Sequence, residues 1–381
     1  MERLLAKKRM TAVIFLLFIF FYAGFNIKKE FPILVDKIEE LREEERSMSE
    51  MISEIETTIN ENVYGRYQFI DAYGYIQKAL DKKEENAFEV IKDEQGKLHY
   101  TYFTEETNAT AKLSDRMKNL NDSIRNKDCK LLYLMPPDKY IEGYTTYATG
   151  IPYSMVNETA DQFLEELKSE EVDYIDFRDY LKDSGLDMQN VFFEQLQERY
   201  GENIPNEEYY ADMNNYNQIT YEDCFLGSQG RKTGRYYAGA DDFTLIYPKF
   251  ATNYELESSI MDDMKLTGRF EEALLATPVF RQTNTPYDTD LYMSYMYGNQ
   301  AYAHIENLDN PDGLNICFIK DSYAVPFAAF TSLRCNHVYL LDPRYYEENM
   351  EDFINEHDLD YVVVMFSPED LSEEFFTFGE K

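Results

Sequence analysis

The C-terminal third of the chain alternates unbroken apolar runs with segments of helical spacing. Leu314 to Ile319 is strand-like, Ala324 to Leu333 helix-like, His337 to Leu341 strand-like and Tyr346 to His357 helical, and Tyr361 to Phe366 (YVVVMF) is continuously apolar. A run with no polar position suits a strand buried on both faces of a parallel sheet. The same alternation occurs earlier: Leu113, Met117, Leu120 and Ile124 form a helical stripe before the apolar run Cys129 to Met135, which Pro136-Pro137 ends. Phe163, Leu164 and Leu167 form a second stripe before Val172 to Ile175. Helices alternating with strands in this order predict βαβ units and a doubly wound α/β domain with a mostly parallel, flavodoxin-like sheet. Phe69 to Leu80 also has helical spacing, and Lys92 to Tyr102 is polar and hairpin-like. Pro205 to Tyr302, rich in Tyr, Asn, Asp and Gly without a period, is expected to form loops and short elements beside the sheet.

The N-terminus carries a different signal. No residue from Met10 to Ile27 is charged, and Arg3, Lys7, Lys8 and Arg9 precede the stretch. About 18 apolar residues is the lower limit for a bilayer-spanning helix, and the preceding cations favour a cytoplasmic N-terminus with the rest of the chain outside. A cleaved signal peptide is the rival reading. No small-x-small site follows Ala23-Gly24, and Lys28-Lys29 arrive at once, so an uncleaved single-pass anchor is the reading adopted. Leu34, Ile38, Leu41, Met48, Ile52, Ile55 and Ile59 then follow 4-3-4-3 spacing, with Glu45 in the one missing core position. That spacing predicts one helix stripe, the seam of a short coiled-coil stalk through which two copies could pair. An amphipathic helix folded back on the globular domain shares the pattern. The expected organisation is therefore an anchor over 1–29, a helical stalk over 30–60 and an α/β domain over 61–381, with a loop-rich insertion at about 203–302.

Composition narrows the function. The 381 residues hold 37 Lys plus Arg against 72 Asp plus Glu, a net charge of −35. Phosphate backbones need clustered cations, so a nucleic-acid partner is excluded. Cys129, Cys224, Cys317 and Cys335 are far apart, with no CxxC or Cys/His ligand spacing, so neither a zinc site nor any other metal or cofactor is indicated. Cys317 and Cys335 sit in apolar runs and read as buried thiols, although a disulfide stays open.

Chemistry points to the carboxyl ends of the strands, where open α/β sheets bind ligands. Lys320-Asp321-Ser322-Tyr323 follows the run NICFI and precedes a helix. A serine there presents its hydroxyl at the sheet edge, beside helix N–H groups that stabilise an oxyanion. Ser322 is thus a candidate nucleophile, while an Asp-Ser pair in that place also suits a simple N-cap. Two further Asp-Ser pairs lack the context: Lys182-Asp183-Ser184 follows a helix, and Asn121-Asp122-Ser123 lies within one. A serine nucleophile needs a base. Of His99, His304, His337 and His357, the last two belong at the strands' amino ends, and His304, ahead of the Ser322 strand, is the better placed of the others. Arg344, after Leu341-Asp342-Pro343, is a candidate oxyanion donor or an ordinary ion-paired arginine. The run Gly227 to Gly234 has the wrong spacing for a phosphate loop and reads as a loop lining the cleft.

Ile319-Lys320-Asp321-Ser322-Tyr323-Ala324-Val325-Pro326-Phe327, with Asp342-Pro343-Arg344-Tyr345-Tyr346, resembles the SGNH-hydrolase-like proteins related to alginate O-acetyltransferases, and within them the membrane-anchored DHHW-motif proteins of bacteria. Phe225 to Gly230, Tyr237 to Gly239, Asp241 to Phe243, Asp290 to Met293 and Tyr297-Gly298 are similar to that branch too, so the likeness runs in patches over about residues 60 to 370. It implies an SGNH-like fold and transfer or removal of acyl groups on cell-surface or exported polysaccharide, with Ser322 as nucleophile, Asp321 beside it and a membrane-bound acyltransferase as partner. One departure stands out. The family carries an Asp-His pair in a DHHW segment between a strand like Val172 to Ile175 and a helix like Leu196 to Tyr200; here Asn190 to Phe193 runs straight into Glu194-Gln195-Leu196, and the chain has no Trp. The expected base is missing, so the resemblance implies either a weakened enzyme or a protein that holds glycan or partner without chemistry.

Overall fold

The computed structural model describes residues 2–43, 48–85, 87–126, 128–180, 185–204, 207–261, 264–282, 286–287 and 290–379. The chain forms two compact units, Met1–Gln77 and Lys78–Lys381.

In the first unit, α1 (Glu2–Glu43) runs continuously through the apolar stretch and past Pro32. It is long and apolar enough to cross a membrane. The heptad seam is not one helix. Its first three positions lie on α1, and its last four lie on α2 (Met48–Asn62), which packs back along α1, with Glu54 3.8 Å from Lys37 and Leu41 buried between them. Glu45 lies outside the described residues. At the far end of α2, the Tyr64 N–H donates to Asn26 Oδ1 at 2.7 Å, and Tyr22 hydrogen-bonds the Tyr64 carbonyl. The amphipathic segment thus folds back, but on α1 rather than as an extended stalk. α3 (Arg66–Ala79) follows, as the Phe69 to Leu80 spacing predicts.

The second unit opens with a small antiparallel sheet of β1 (Glu84–Glu85), β2 (Val90–Lys92) and β3 (Leu98–Tyr100), the expected hairpin. Then come α4 (Ala111–Ser123), β4 (Lys130–Met135), α5 (Val156–Ser169), β5 (Asp173–Asp176) and α6 (Gly185–Tyr200), the βαβ pattern read from the stripes. A two-stranded ladder of β6 (Tyr216–Phe225) and β7 (Asp241–Pro248) follows, and then β8 (Tyr254–Ser258), β9 (Met264–Gly268), β10 (Tyr302–Asn307), β11 (Leu314–Lys320), β12 (Cys335–Leu341) and β13 (Tyr361–Met365). The main sheet has eight strands in the order β5-β4-β13-β11-β12-β10-β8-β9. β5 through β12 pair in parallel, and the last three join antiparallel.

Two apolar layers sandwich this sheet. Leu132, Ile316, Phe318, Leu340 and Val363 face α6 and the helix Ala324–Thr331. Tyr133, Cys317, Ile319, Val362 and Val364 face α4 and α5. The fold is therefore the doubly wound α/β architecture expected, with one difference: the interval read as loops and short elements beside the sheet supplies β8 and β9 to the sheet itself, as well as the separate β6–β7 ladder. All four cysteines are buried and unpaired.

Candidate functional site

Ser322 sits where the chain leaves the carboxyl end of β11 and turns into the helix Ala324–Thr331, which is buried along nearly its whole length. Apolar packing of that helix on the sheet holds the turn in place, so Ser322 is fixed at the rim rather than carried on a mobile loop. It is half-buried, between buried Asp321 and exposed Tyr323. Tyr292, from the turn Leu291–Ser294, donates its phenol to the Ser322 carbonyl. The Ser322 hydroxyl has no hydrogen-bond partner among the described residues.

Asp321 is a brace. Its Oδ1 accepts the Tyr323 N–H at 2.8 Å and its Oδ2 accepts the Ser367 N–H at 2.6 Å, tying the turn after β11 to the turn after β13. One N–H at the helix start is thereby taken up. Burial, then the neighbouring Asp370 charge, pushes the Asp321 carboxyl well above its usual range, and burial raises Asp370 as well. Two carboxyls this close oppose each other's ionisation, which together with burial is why both stand above their usual range. Nearby Glu369 has an exposed surface. Desolvation of its carboxyl, followed by the charges of Asp138 and Asp370, pushes it up to about 7. Asp138, after the carboxyl end of β4, is buried and raised by desolvation too.

A second cluster adjoins on the other side. Lys320 is fully buried and donates to Asp342 Oδ2 at 3.0 Å and to Asn299. Arg344 clamps the same carboxylate with Nε on Oδ1 at 2.9 Å and Nη2 on Oδ2 at 2.7 Å. Burial alone would raise Asp342, but the hydrogen bonds from Arg344 and Lys320 outweigh it and hold this carboxyl below its usual range. Burial lowers Lys320. Arg344 therefore stands at the same sheet edge as Ser322, with its guanidinium already engaged by Asp342 and stacked near Tyr345 and Phe375.

The histidines are elsewhere. His304, on β10, pairs across the sheet with Tyr339, stacks on that ring at 4.4 Å between centroids, and shares a 2.9 Å hydrogen bond between its Nε2 and His337 Nδ1. His357 meets the Tyr339 ring edge-on. These contacts place His304 on a face of the sheet, not at the carboxyl edge that carries Asp321, Ser322 and Arg344. His99 forms a buried pair with Asp93, Nε2 to Oδ2 at 2.9 Å, in the β2–β3 hairpin. That hairpin is bonded to the loop after β4, through Glu94 N–H to the Thr146 carbonyl and Thr101 Oγ1 to the Pro152 carbonyl. No hydrogen bond or ring contact joins His99 to Ser322.

The interval expected to hold an Asp-His pair lies inside α6. Val191, Phe192, Phe193 and Leu196 are buried in the core, Phe192 packs edge-on against Phe327, and Gln189 donates to the Phe327 carbonyl at 2.8 Å. This stretch supports the helix after Ser322 and adds nothing reactive. Lys182-Asp183-Ser184 lies outside the described residues. The glycine-rich run forms a short helix, Gly227–Thr233, where a loop was expected; its Gln229 accepts from Lys139, and Arg231 pairs with Asp290 beside Tyr292. Clefts lined by Asn121, Lys130 and Asp173, and by Tyr210, Thr252 and Arg334, open at the amino end of the parallel strands, away from Ser322. Among the described residues no cluster of His, Cys, Asp and Glu could hold a metal.

No family model and no curated protein matches the chain. Solved structures do match in fold. PatB1 of Bacillus cereus, solved with a sulfonyl adduct, is 15% identical over 76% of this chain and 97% of its own, with a TM-score of 0.57. A DHHW family protein from Eubacterium siraeum is 15% identical over 76% and 94%, with a TM-score of 0.53. The O-acetyltransferase domain of Pseudomonas putida AlgJ is 10% identical over 74% and 91%, with a TM-score of 0.41. The fold is thus the one the sequence patches resemble, shared with a DHHW protein although the DHHW segment itself is absent here.

Proposed function

We propose that this chain is a membrane-anchored, extracytoplasmic SGNH-like O-acyltransferase or esterase acting on cell-surface or exported polysaccharide, slowed by the lack of an Asp-His pair. The observation that carries this reading is the place of Ser322: a hydroxyl at the carboxyl edge of a parallel sheet, at the start of a helix, with cationic Arg344 at the same edge. In the chemistry proposed, the Ser322 oxygen attacks an acyl carbonyl, its proton passes to a base, and the donor leaves. A sugar hydroxyl or water then takes the acyl group from the seryl ester. PatB1 supports the reading in kind, since a sulfonyl adduct is what an electrophilic sulfonyl reagent leaves on a reactive side chain. The cations ahead of the apolar stretch favour the outward orientation.

A second reading is favoured by a specific observation: no histidine contacts Ser322 among the described residues. The protein would then hold glycan, or a membrane-bound acyltransferase, without performing the transfer. The test treats the purified chain with phenylmethanesulfonyl fluoride and with p-nitrophenyl acetate, beside Ser322→Ala. Labelling and turnover that disappear in the variant support the enzyme. Equal labelling and turnover in both proteins end the nucleophile assignment, and glycan binding without any labelling selects the scaffold.

A further inference from the structure

α3 is built inside out. Asp71, Gly74 and Gln77 are its buried residues, whereas Phe69, Tyr73 and Ile76, with Leu80 directly after the helix, are exposed. These four recur at intervals of four, three and four, so they make one stripe, with exposed Tyr75 flanking it. Phe69 is 52% exposed, Ile76 54% and Leu80 67%. A helix bathed in water turns its apolar stripe inward, so this one is made for an apolar surrounding on its outer side.

The first unit shows what that surrounding is. Beyond Lys28-Lys29, α1 continues to Glu43, a rise of about 23 Å, and α2 brings the chain back by about 21 Å from Met48 to Asn62. The return therefore ends where the apolar stretch ends. The contacts agree: Tyr64 meets Tyr22, Phe25 and Asn26, Lys29 lies 5.0 Å over the Tyr64 ring, and the Phe69 and Tyr22 rings meet edge to face with 5.5 Å between centroids. Tyr22 and Phe25 belong to the apolar stretch itself, so the α3 stripe starts in continuity with the surface that faces lipid.

We infer that α3 is an interfacial helix that lies on the outer leaflet of the bilayer, with Phe69, Tyr73, Ile76 and Leu80 dipped into the boundary between headgroups and acyl chains. Tyrosines at that depth match the aromatic belt of membrane proteins, and an apolar helix stripe of this width is how interfacial helices bind. The helical hairpin then acts as a measured loop that returns the chain to the membrane instead of a stalk that carries it away. This inference rests on α1 being an anchor.

The test uses the full chain in vesicles of phosphatidylethanolamine and phosphatidylglycerol with brominated acyl chains, carrying a bimane label at Phe18→Cys, Ile76→Cys or Gln68→Cys. The native thiols are buried and do not compete for label. Bromine should quench the labels at 18 and 76 by at least about twofold, and the label at 68, a quarter-turn away from the stripe, clearly less. Quenching at 18 without extra quenching at 76 overturns the inference and leaves the anchor standing. That outcome also covers a second copy or a protein partner seated on the stripe. No quenching at 18 removes the anchor, and the interfacial helix with it.

Discussion

Neutralising Asp342 should be among the most destabilising single changes in the second unit. Lys320 and Asp342 are both fully buried and 3.0 Å apart. At an effective dielectric constant of about 20, charges at that separation attract by ~5.5 kcal/mol. Arg344 adds two hydrogen bonds to the same carboxylate. Asp342→Asn keeps the shape, removes the charge and leaves two cations facing each other, one of them without water. Breaking a buried pair from one side costs about 3–5 kcal/mol, and that is the expected loss. Lys320→Met should cost less than about 1.5 kcal/mol, because a thioether of similar length fills the space and Arg344 still satisfies the carboxylate. Urea unfolding followed by near-ultraviolet circular dichroism measures both, with the midpoint expected to move and the slope to stay. A loss below about 1 kcal/mol in Asp342→Asn, or an equal loss in both variants, would refute the claim that the buried ammonium depends on this carboxylate.

The histidine pair should make the protein sensitive to acid. Burial, then the neighbouring His337, lowers His304 to about 4, so the folded state binds fewer protons there than the unfolded state does. Its contribution is therefore complete above the ordinary histidine value of 6.5 and is lost as pH falls from there towards 4, by about 3 kcal/mol at most. Glu257, held below its usual range by Lys265, faces His304 and moderates the loss. Denaturant midpoints between pH 7 and pH 4.5 should fall less in His304→Gln than in the parent, and identical profiles would count against the pair. Gly379→Ala should loosen the C-terminal segment. The backbone there has φ +66°, and an added Cβ would lie 2.3 Å from the Arg116 carbonyl oxygen. A loss of about 2 kcal/mol and faster trimming of the tail by carboxypeptidase are expected.

Some of this architecture is legible in the sequence because burial is written into consecutive residues. YVVVMF and NICFI are continuous since both faces of β13 and β11 are covered, and the junction carrying Ser322 follows from them. β8 was hidden because only Tyr254, Leu256 and Ser258 turn inward, leaving Glu255 and Glu257 to make it look like a loop. β6 is mostly exposed and has no apolar pattern to show. Tyr292, Glu369 and Asp370 could not be picked out. A single tyrosine among 33 and two acids among 72 become distinctive only when the turns after β11 and β13 meet. The helical hairpin was obscured for a physical reason as well. A heptad seam specifies which face is covered but not by which helix, so spacing alone fits a partner chain, a second segment and the chain's own anchor equally.

If Ser322 is the nucleophile proposed, the pH dependence of ester turnover shows which group takes its proton. A histidine base would make ester turnover rise through about 6.5. No histidine contacts this serine among the described residues, and His304 is committed to His337 and Tyr339. Glu369, on the turn after β13 that Asp321 ties to the Ser322 turn, is pushed up to about 7 by burial and then by the charges of Asp138 and Asp370. If its carboxylate serves as the acceptor, directly or through a water, turnover by the parent rises around pH 7, and Glu369→Gln flattens that rise while sparing sulfonyl labelling at high pH. If it acts only as a charge, ionisation opposes the developing oxyanion, and Glu369→Gln speeds turnover. Burial, then the charges of Asp138 and Asp370, raises Glu369 to about 7, so it becomes a carboxylate able to accept a proton only as pH passes that value, and the flattened profile is the expected outcome. A faster Glu369→Gln variant would refute it, and would make the carboxyl group a brake on Ser322.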